Sequence, residues 1–303
     1  MRTPTDFSSA VQRRFEFIEW KVFWDGGVRR ESLEQAFGIS TPQASVDLRH
    51  YQEFEPDNLA YDKSAKMYVR GGTFLPRFLK LSADRLLLQI RAFLTGTLDS
   101  KDLWFSTLPP FDAAPDIVRS VEPVALRKIL DAIRERQTIA VHYQSLSTNK
   151  WREIAPHALA FDGYRWHARS LCCESGEFRD FVLARIDDFG EAKPADIDAS
   201  ADLEWSTMIE MRLTPHPGLT DDQRRAIECD FGMVDGVRLI EMRLALAYYF
   251  IKRHNLDLER LIPESALRPD RLQIRLENLD QVQEVIAKTR LAAQLMVQAR
   301  RSH

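Results

Sequence analysis

The stretch GYRWHARSLCCESGEFRDFVLARID, Gly163 to Asp187, alternates with a period of two and predicts a β-hairpin. Its arms are Tyr164 to Cys173 and Glu177 to Ile186. Glu174-Ser175-Gly176 closes them as a three-residue turn, with Gly at the left-handed last position. That closure pairs Cys173 with Glu177, Arg169 with Phe181, His167 with Leu183 and Arg165 with Arg185. Alternation then puts Arg165, His167, Arg169, Arg179 and Arg185 on one face. Tyr164, Trp166, Ala168, Val182, Ala184 and Ile186 fall on the other, an apolar core face. Like charges across a ladder repel, so a strand pair that gathers arginines is expected to hold an anion. The alternative is a solvated face whose arginines pair with acids from elsewhere in the fold.

Around the hairpin, Ile139 to Tyr143 and Trp151 to Phe161 read as strands, and a short last strand lies near Gly190. A helix from Val124 to Arg136 precedes them, carrying Leu126, Ile129, Leu130 and Ile133 on one face. Five short antiparallel strands after a helix fit a small β-barrel over residues 123–195. Tyr143 and Ser145 leave the first strand at the border of the basic face, and Phe181 lies across it. With Tyr143 and Phe181 as a stacking surface and Ser145 and His167 as neutral donors, the arginine forks suit a phosphorylated, base-bearing ligand. His157, next to Pro156, reads as a structural hydrogen-bonding residue.

The N-terminal third has a different pattern. Phe7 to Trp24 reads as a helix with Val11, Phe15, Ile18 and Val22 on one stripe, stopped by Asp25-Gly26-Gly27. A short helix, Arg30 to Phe37, ends at Gly38. Ser40 then caps a second one, Pro42 to Gln52, and the pair forms a helix-turn-helix. Ala44, Leu48 and Tyr51 share its inner side, while Gln43, Ser45, Val46, Arg49 and His50 face outward. Leu59 to Asp62 and Lys66 to Val69 form a wing around Lys63-Ser64-Ala65. The polar side chains of Gln43, Ser45 and Arg49 suit base edges. Ser40, Thr41, Lys63, Lys66 and Arg70 complete the expected DNA-contacting set, the last three on or near the wing tip.

Ser82 caps a helix to about Leu94, which is expected to bridge domains or to pack against a second copy. With it the DNA-binding domain spans residues 1–96. Residues 97–122, rich in proline, read as a linker. Lys193 to Asp202 form a second boundary before a small α/β domain at residues 203–303. There Trp205 to Leu213 and Leu272 to Leu276 read as strands, Leu219 to Cys229 and Asn278 to Ala299 read as helices, and Arg238 to Ile251 is an amphipathic run. The fold class is therefore α+β.

The order H-Y-Q-S (His142 to Ser145), W-H-A-R (Trp166 to Arg169) and R-D-F-V-L-A-R-I (Arg179 to Ile186) resembles the WYL-domain transcriptional regulators. The subgroup it is similar to is the CapW/BrxR type, encoded beside bacterial anti-phage systems. The name-giving Trp-Tyr-Leu triplet is altered, because His167 and Ala168 follow Trp166. The resemblance covers nearly the whole chain. It implies a homodimeric repressor of an anti-phage gene cluster; since one reading helix spans few base pairs, a dimer is expected to bind an inverted-repeat operator. It also implies that the barrel is Sm-like and recognises a nucleic-acid fragment or nucleotide, and that the C-terminal domain is a dimerisation domain.

At 303 residues the chain has room for two or three cores, and its net charge of −3 confines any nucleic-acid contact to local patches. Cys172, Cys173 and Cys229 have neither zinc nor disulfide spacing. The absence of a signal-peptide core and of a long apolar run predicts a cytoplasmic protein without a membrane partner. There is no phosphate loop, dinucleotide fingerprint or histidine pair at metal spacing, so no cofactor is expected. The competing reading is an enzyme acting on a phosphorylated nucleotide, with His142 or His167 as general acid/base. A Ser145–His142–Asp187 triad is the other constellation to test.

Overall fold

A computed structural model of the chain describes residues 3–105, 110–114, 117, 120–195, 198–261, 268 and 271–301. Its contacts divide it into two units, residues 1–116 and 117–303.

In the first unit, apolar residues at helical spacing build a core from three helices. They are α1 (Ser9–Trp24), α2 (Arg30–Phe37) and α3 (Thr41–Phe54), and Phe15, Ile18, Leu33, Ala44, Leu48 and Tyr51 are buried between them. Gly38 ends α2 in the left-handed region, and the Ser40 hydroxyl caps α3 by accepting from the Gln43 amide at 3.4 Å. β1 (Gly27–Val28), β2 (Leu59–Asp62) and β3 (Met67–Arg70) form a sheet in the order β1-β3-β2. The wing is as expected, but β1 is an addition to it. Gly27 pairs with Val69, and a Cβ there would lie 2.8 Å from the Tyr68 carbonyl oxygen, so the glycine that ends the α1 region also permits the strand. α4 (Ala83–Leu94) is capped by Ser82, as expected.

This unit reaches past residue 96. Trp104 stacks edge-on against Phe17 at 5.2 Å and Trp20 at 6.0 Å, and its carbonyl accepts from the buried Lys21 ammonium at 3.0 Å. Prolines mark a linker in the sequence, but the aromatic residues just before them belong to the core. Of the predicted linker, residues 106–109, 115, 116, 118 and 119 lie outside the described residues.

In the second unit, α5 (Pro123–Arg134) packs Ile129 and Ala132 onto a five-stranded antiparallel sheet. Its strands are β4 (Gln137–Gln144), β5 (Asn149–Phe161), β6 (Trp166–Cys172), β7 (Glu177–Val182) and β8 (Ile186–Pro194), in the order β7-β6-β5-β4-β8. The expected closed barrel is corrected. Among the described residues β7 pairs only with β6 and β8 only with β4, and residues Leu183–Arg185 between them form a 3₁₀ turn in place of strand.

The hairpin register is corrected as well. Cys172 pairs with Glu177, Arg169 with Asp180 and His167 with Val182. The turn holds four residues: the Gly176 amide (φ +71°) donates to the Cys172 carbonyl at 2.8 Å. One residue more in the turn shifts β7 by one, and a one-residue shift reverses which face each β7 side chain takes.

The chain continues through α6 (Leu203–Ser206), β9 (Met208–Pro215), α7 (Asp221–Asp230), β10 (Arg238–Arg243), α8 (Leu244–Arg253), β11 (Ile274–Leu276) and α9 (Leu279–Arg301). The strands order as β10-β9-β11, and Met211, Leu213, Ala247, Ile251 and Val282 form the core beneath α8 and α9. One expectation changes here: Trp205 is helical. The amphipathic run from Arg238 resolves into a strand followed by a helix. Thr220 caps α7 with a reciprocal bond to Gln223.

Candidate functional site

α3 presents the side chains read as DNA contacts. Its buried stripe of Ala44, Leu48 and Tyr51 fixes its rotation. A bidentate pair from Arg14 to buried Asp47, at 2.6 and 3.1 Å, fixes it to α1. Gln43 is exposed and leans on the same carboxylate, its Nε2 donating at 3.0 Å, while Arg49 is exposed and lies 4.0 Å from Glu53. The Ser45 hydroxyl donates to the Thr41 carbonyl at 2.9 Å, so Ser45 is already spoken for within the helix. Ser40 and Thr41 are exposed at the helix start.

Lys63 and Lys66 lie exposed on the β2–β3 turn. The Asp62 carboxylate stiffens that turn by accepting from the Ser64 and Ala65 amides at 2.8 and 3.0 Å. Arg70 pairs with Leu59 at the far end of β3, so it is not at the tip. Arg29, which the sequence did not single out, donates to the Ala65 carbonyl at 3.3 Å and braces the wing.

The expected arginine face on the sheet does not assemble. Arg169 is buried and surrounded by acids. It forks onto Asp202 at 2.7 and 2.8 Å, donates to Glu204 at 3.0 Å and lies 3.4 Å from Asp180. Arg165 and His167 both bond Asp162, at 2.9 Å each. Arg179 is carried to the opposite face by the register and bonds Glu177. Tyr143 and Phe181 are core residues, stacked edge-on at 5.1 Å, and the Tyr143 hydroxyl accepts from the Val182 amide. They offer no stacking surface to a ligand.

A smaller basic group does gather at one end of the sheet. Tyr143 pairs with Lys150 and with Ile186, which brings the β4–β5 turn and the residue before β8, Arg185, to the same end. Ser145 closes the turn on Thr148, and Arg152 donates to the Thr148 hydroxyl at 3.2 Å and lies 3.5 Å from Glu174. The Arg152 Nε is buried and meets no acceptor among the described residues. A buried donor without a partner is costly unless a ligand or water satisfies it. Sequence reading missed Arg152 because it sits alone between strand residues with no like neighbour.

Residues 10–103 match the BrxR transcriptional regulator winged helix-turn-helix domain, residues 124–190 the WYL domain, and residues 208–282 the BrxR transcriptional regulator C-terminal dimerization domain. The chain is 40% identical over 276 residues to the DNA-binding transcriptional repressor CapW of Escherichia coli (strain KTE188), covering 89% of this chain and 90% of that one. The Pseudomonas aeruginosa CapW repressor is 36% identical over 277 residues, covering 91% of each chain. The Stenotrophomonas maltophilia CapW repressor is 35% identical over 283 residues, covering 92% and 93%.

The chain belongs to the CapW/BrxR family of WYL-domain transcriptional regulators.

This is a family of DNA-binding repressors, not of enzymes, and the His142–Asp187 pair takes on a different meaning. His142 Nδ1 lies 2.6 Å from Asp187, and Gln144 donates to the same carboxylate at 2.9 Å. The Ser145 hydroxyl is occupied by its own turn. The pair pins β4 to the start of β8 and makes no triad. His157 bonds Asp202 at 3.0 Å, the structural role expected of it.

The acids beneath the family's WYL hairpin carry a pH signature. Burial alone would raise Asp202, but the Arg169 and His157 bonds outweigh it and hold the carboxyl at about 2. Burial likewise pushes Asp162 up, but the His167, Tyr164 and Arg165 donors outweigh it and hold that carboxyl also at about 2. Both folded values lie below the unfolded ones. Unfolding therefore takes up protons, and the stabilisation present above the ordinary carboxylate range is lost as pH falls toward 2. Thermal melts between pH 7 and pH 3 are expected to show Tm falling below about pH 4, with a shallower acid limb in Asp202→Asn. A flat profile would contradict the assignment.

Proposed function

We propose that this chain is a homodimeric repressor of an anti-phage defence gene cluster. It reads an inverted-repeat operator with α3 and releases it when a nucleic-acid fragment or nucleotide binds the WYL sheet. The observation that carries the DNA-reading half is the fixed polar face of α3. Gln43 and Arg49 project from a helix whose other side is locked by Ala44, Leu48, Tyr51 and the Arg14–Asp47 fork. One such helix spans few base pairs, so useful specificity needs two copies on two half-sites. Lys63 and Lys66 supply phosphate contacts from the wing.

The effector half rests on the β4–β5 end of the sheet. Arg152 and Arg185 form its donor set, with Lys150 beside them on Glu174 at 2.8 Å and Ser145 shaping the turn. Arg165, His167, Arg169 and Arg179 already have acidic partners in the fold. Guanidinium groups suit phosphate oxygens, and the buried Arg152 Nε wants an acceptor. A ligand moves a two-state repressor only through differential affinity, so removing its site removes the response and leaves the resting population in place.

Titration of the full chain onto the inverted repeat upstream of its own operon, with and without short single strands and cyclic oligonucleotides, tests this. Arg152→Ala and Arg185→Ala are expected to bind the operator within about twofold of the parent and to lose release by the effector. Variants that release as the parent does would refute the assignment of this end of the sheet. A chain that ignored the repeat altogether would refute the DNA-reading half.

A further inference from the structure

The β4–β5 end of the sheet already holds an anion of the chain's own. Lys150 Nζ donates to Glu174 Oε2 at 2.8 Å, and an Arg152 guanidinium nitrogen lies 3.5 Å from the same oxygen. Ammonium and guanidinium groups take carboxylate and phosphate oxygens through the same charge-assisted bonds. Glu174 therefore sits where an effector phosphate oxygen would sit. Lys150 and Glu174 are 49% and 43% exposed, so their pair is weak enough to exchange for an anion from solution. Arg152 is 16% exposed, and its Nε lacks an acceptor among the described residues even with Glu174 in place. A phosphate brings more acceptor oxygens to that guanidinium than one carboxylate does.

Glu174 rides on the turn between β6 and β7. The Cys173 amide, just before it, donates to the Glu153 carbonyl at 3.0 Å, and the Gly176 amide closes the turn on the Cys172 carbonyl at 2.8 Å. The same turn backs onto α9, since a Cβ at Gly176 would lie 3.1 Å from a Val297 methyl. The carboxylate on the two cations thus belongs to a backbone segment that rests on the C-terminal helix. Taking the effector's site to be this end of the sheet, we propose that Glu174 is an autoinhibitory competitor for the effector. An arriving phosphate displaces the carboxylate, and its turn shifts against α9. Apparent affinity falls with the fraction of chains whose site is open, so a carboxylate seated in about 80% of chains weakens the effector about fivefold. The contact sets the effector concentration at which the chain responds.

The test titrates the full chain onto a short thymidine strand carrying a 5′-phosphate and a 3′ fluorophore, read by anisotropy. Glu174→Gln, which keeps the shape and loses the charge, is expected to bind about fivefold tighter than the parent. Glu191→Gln makes the same change in net charge at an exposed position on β8, and is expected to stay within about twofold because distant surface charges are screened. Arg152→Ala is expected to lose about tenfold or more, with or without Glu174→Gln. Adding the strand to the parent should speed amide exchange at Gly176 and Val297 by about threefold or more. Glu174→Gln no tighter than Glu191→Gln, with Arg152→Ala still weakened, keeps the site and refutes the competitor. Arg152→Ala equal to the parent refutes the site itself, and the competitor with it. Unchanged exchange at either amide refutes the shift of the turn against α9.

Discussion

Replacing Arg169 with Ala is expected to cost the second unit about 3–5 kcal/mol, the usual effect of removing one partner from a buried charge cluster. Arg169 is only 3% exposed, and it answers Asp202, itself 1% exposed, together with Glu204 and Asp180. Its removal leaves three carboxylates facing one another without their cation. The coulombic gain of the intact pairs is not the issue, because a buried ion pair roughly breaks even against apolar isosteres. The uncompensated acids are. Arg169→Met, which fills the volume but not the charge, should therefore be nearly as damaging at pH 7 as Arg169→Ala. Both should recover part of the loss as pH falls and the acids take up protons. Melts followed by circular dichroism check this; a Tm within about 2 °C of the parent would contradict it, since 3–5 kcal/mol corresponds to on the order of 10 °C for a unit of this size. Loss of operator binding by this variant would report on folding, and it should not be read as loss of an effector site.

Glu19→Ala is expected to be comparably severe in the first unit. The carboxylate is fully buried on α1 and accepts four hydrogen bonds: from the Arg77, Phe78 and Leu79 amides at 2.8, 2.9 and 2.6 Å, and from the Tyr51 hydroxyl at 2.9 Å. It ties the segment leading into α4 to α3 through one side chain. Each buried donor left without an acceptor costs about 1–3 kcal/mol. Leu79 is buried and water can reach the more exposed Arg77, so the sum is on the order of 3 kcal/mol. Burial raises the Glu19 pKa despite its donors. Its folded value then lies above the unfolded one, and its contribution is present at low pH and lost as pH rises through the folded value. That is opposite in sign to Asp202, so acid lability should arise in the second unit. Amide exchange at residues 77–79 reads the effect directly: rates there should rise by two orders of magnitude or more. Unchanged protection would refute the tie.

Much of the first unit was legible because its signals are local. The Ser40 cap, the Gly38 stop and the Ala44–Leu48–Tyr51 stripe lie within a few residues of the elements they define. The hairpin was legible as an element but not in register, since Gly176 can close a turn of three or four residues and nothing in the flanking pattern chooses between them. That one residue moved Phe181 to the core and Arg179 to the opposite face from Arg169. The partner that settles Arg169, Asp202, lies 33 residues away in a stretch whose composition reads as a boundary. Long-range acid partners leave no periodic trace. The β10–α8 junction was missed for a related reason: Arg243-Leu244 has no glycine or proline to mark the change from strand to helix. Trp104 was missed because prolines nearby outweighed a single aromatic residue.

The central claim, that α3 reads the operator and the wing holds the backbone, is tested most directly by paired titrations of Arg49→Ala and Lys63→Ala. Both are run on the inverted repeat and on random DNA across a range of salt. Arg49→Ala should lose about 1–3 kcal/mol on the repeat and almost nothing on random DNA. Lys63→Ala should weaken both alike and flatten the log–log salt slope by about one unit. Equal losses on both DNAs for Arg49→Ala would contradict the account.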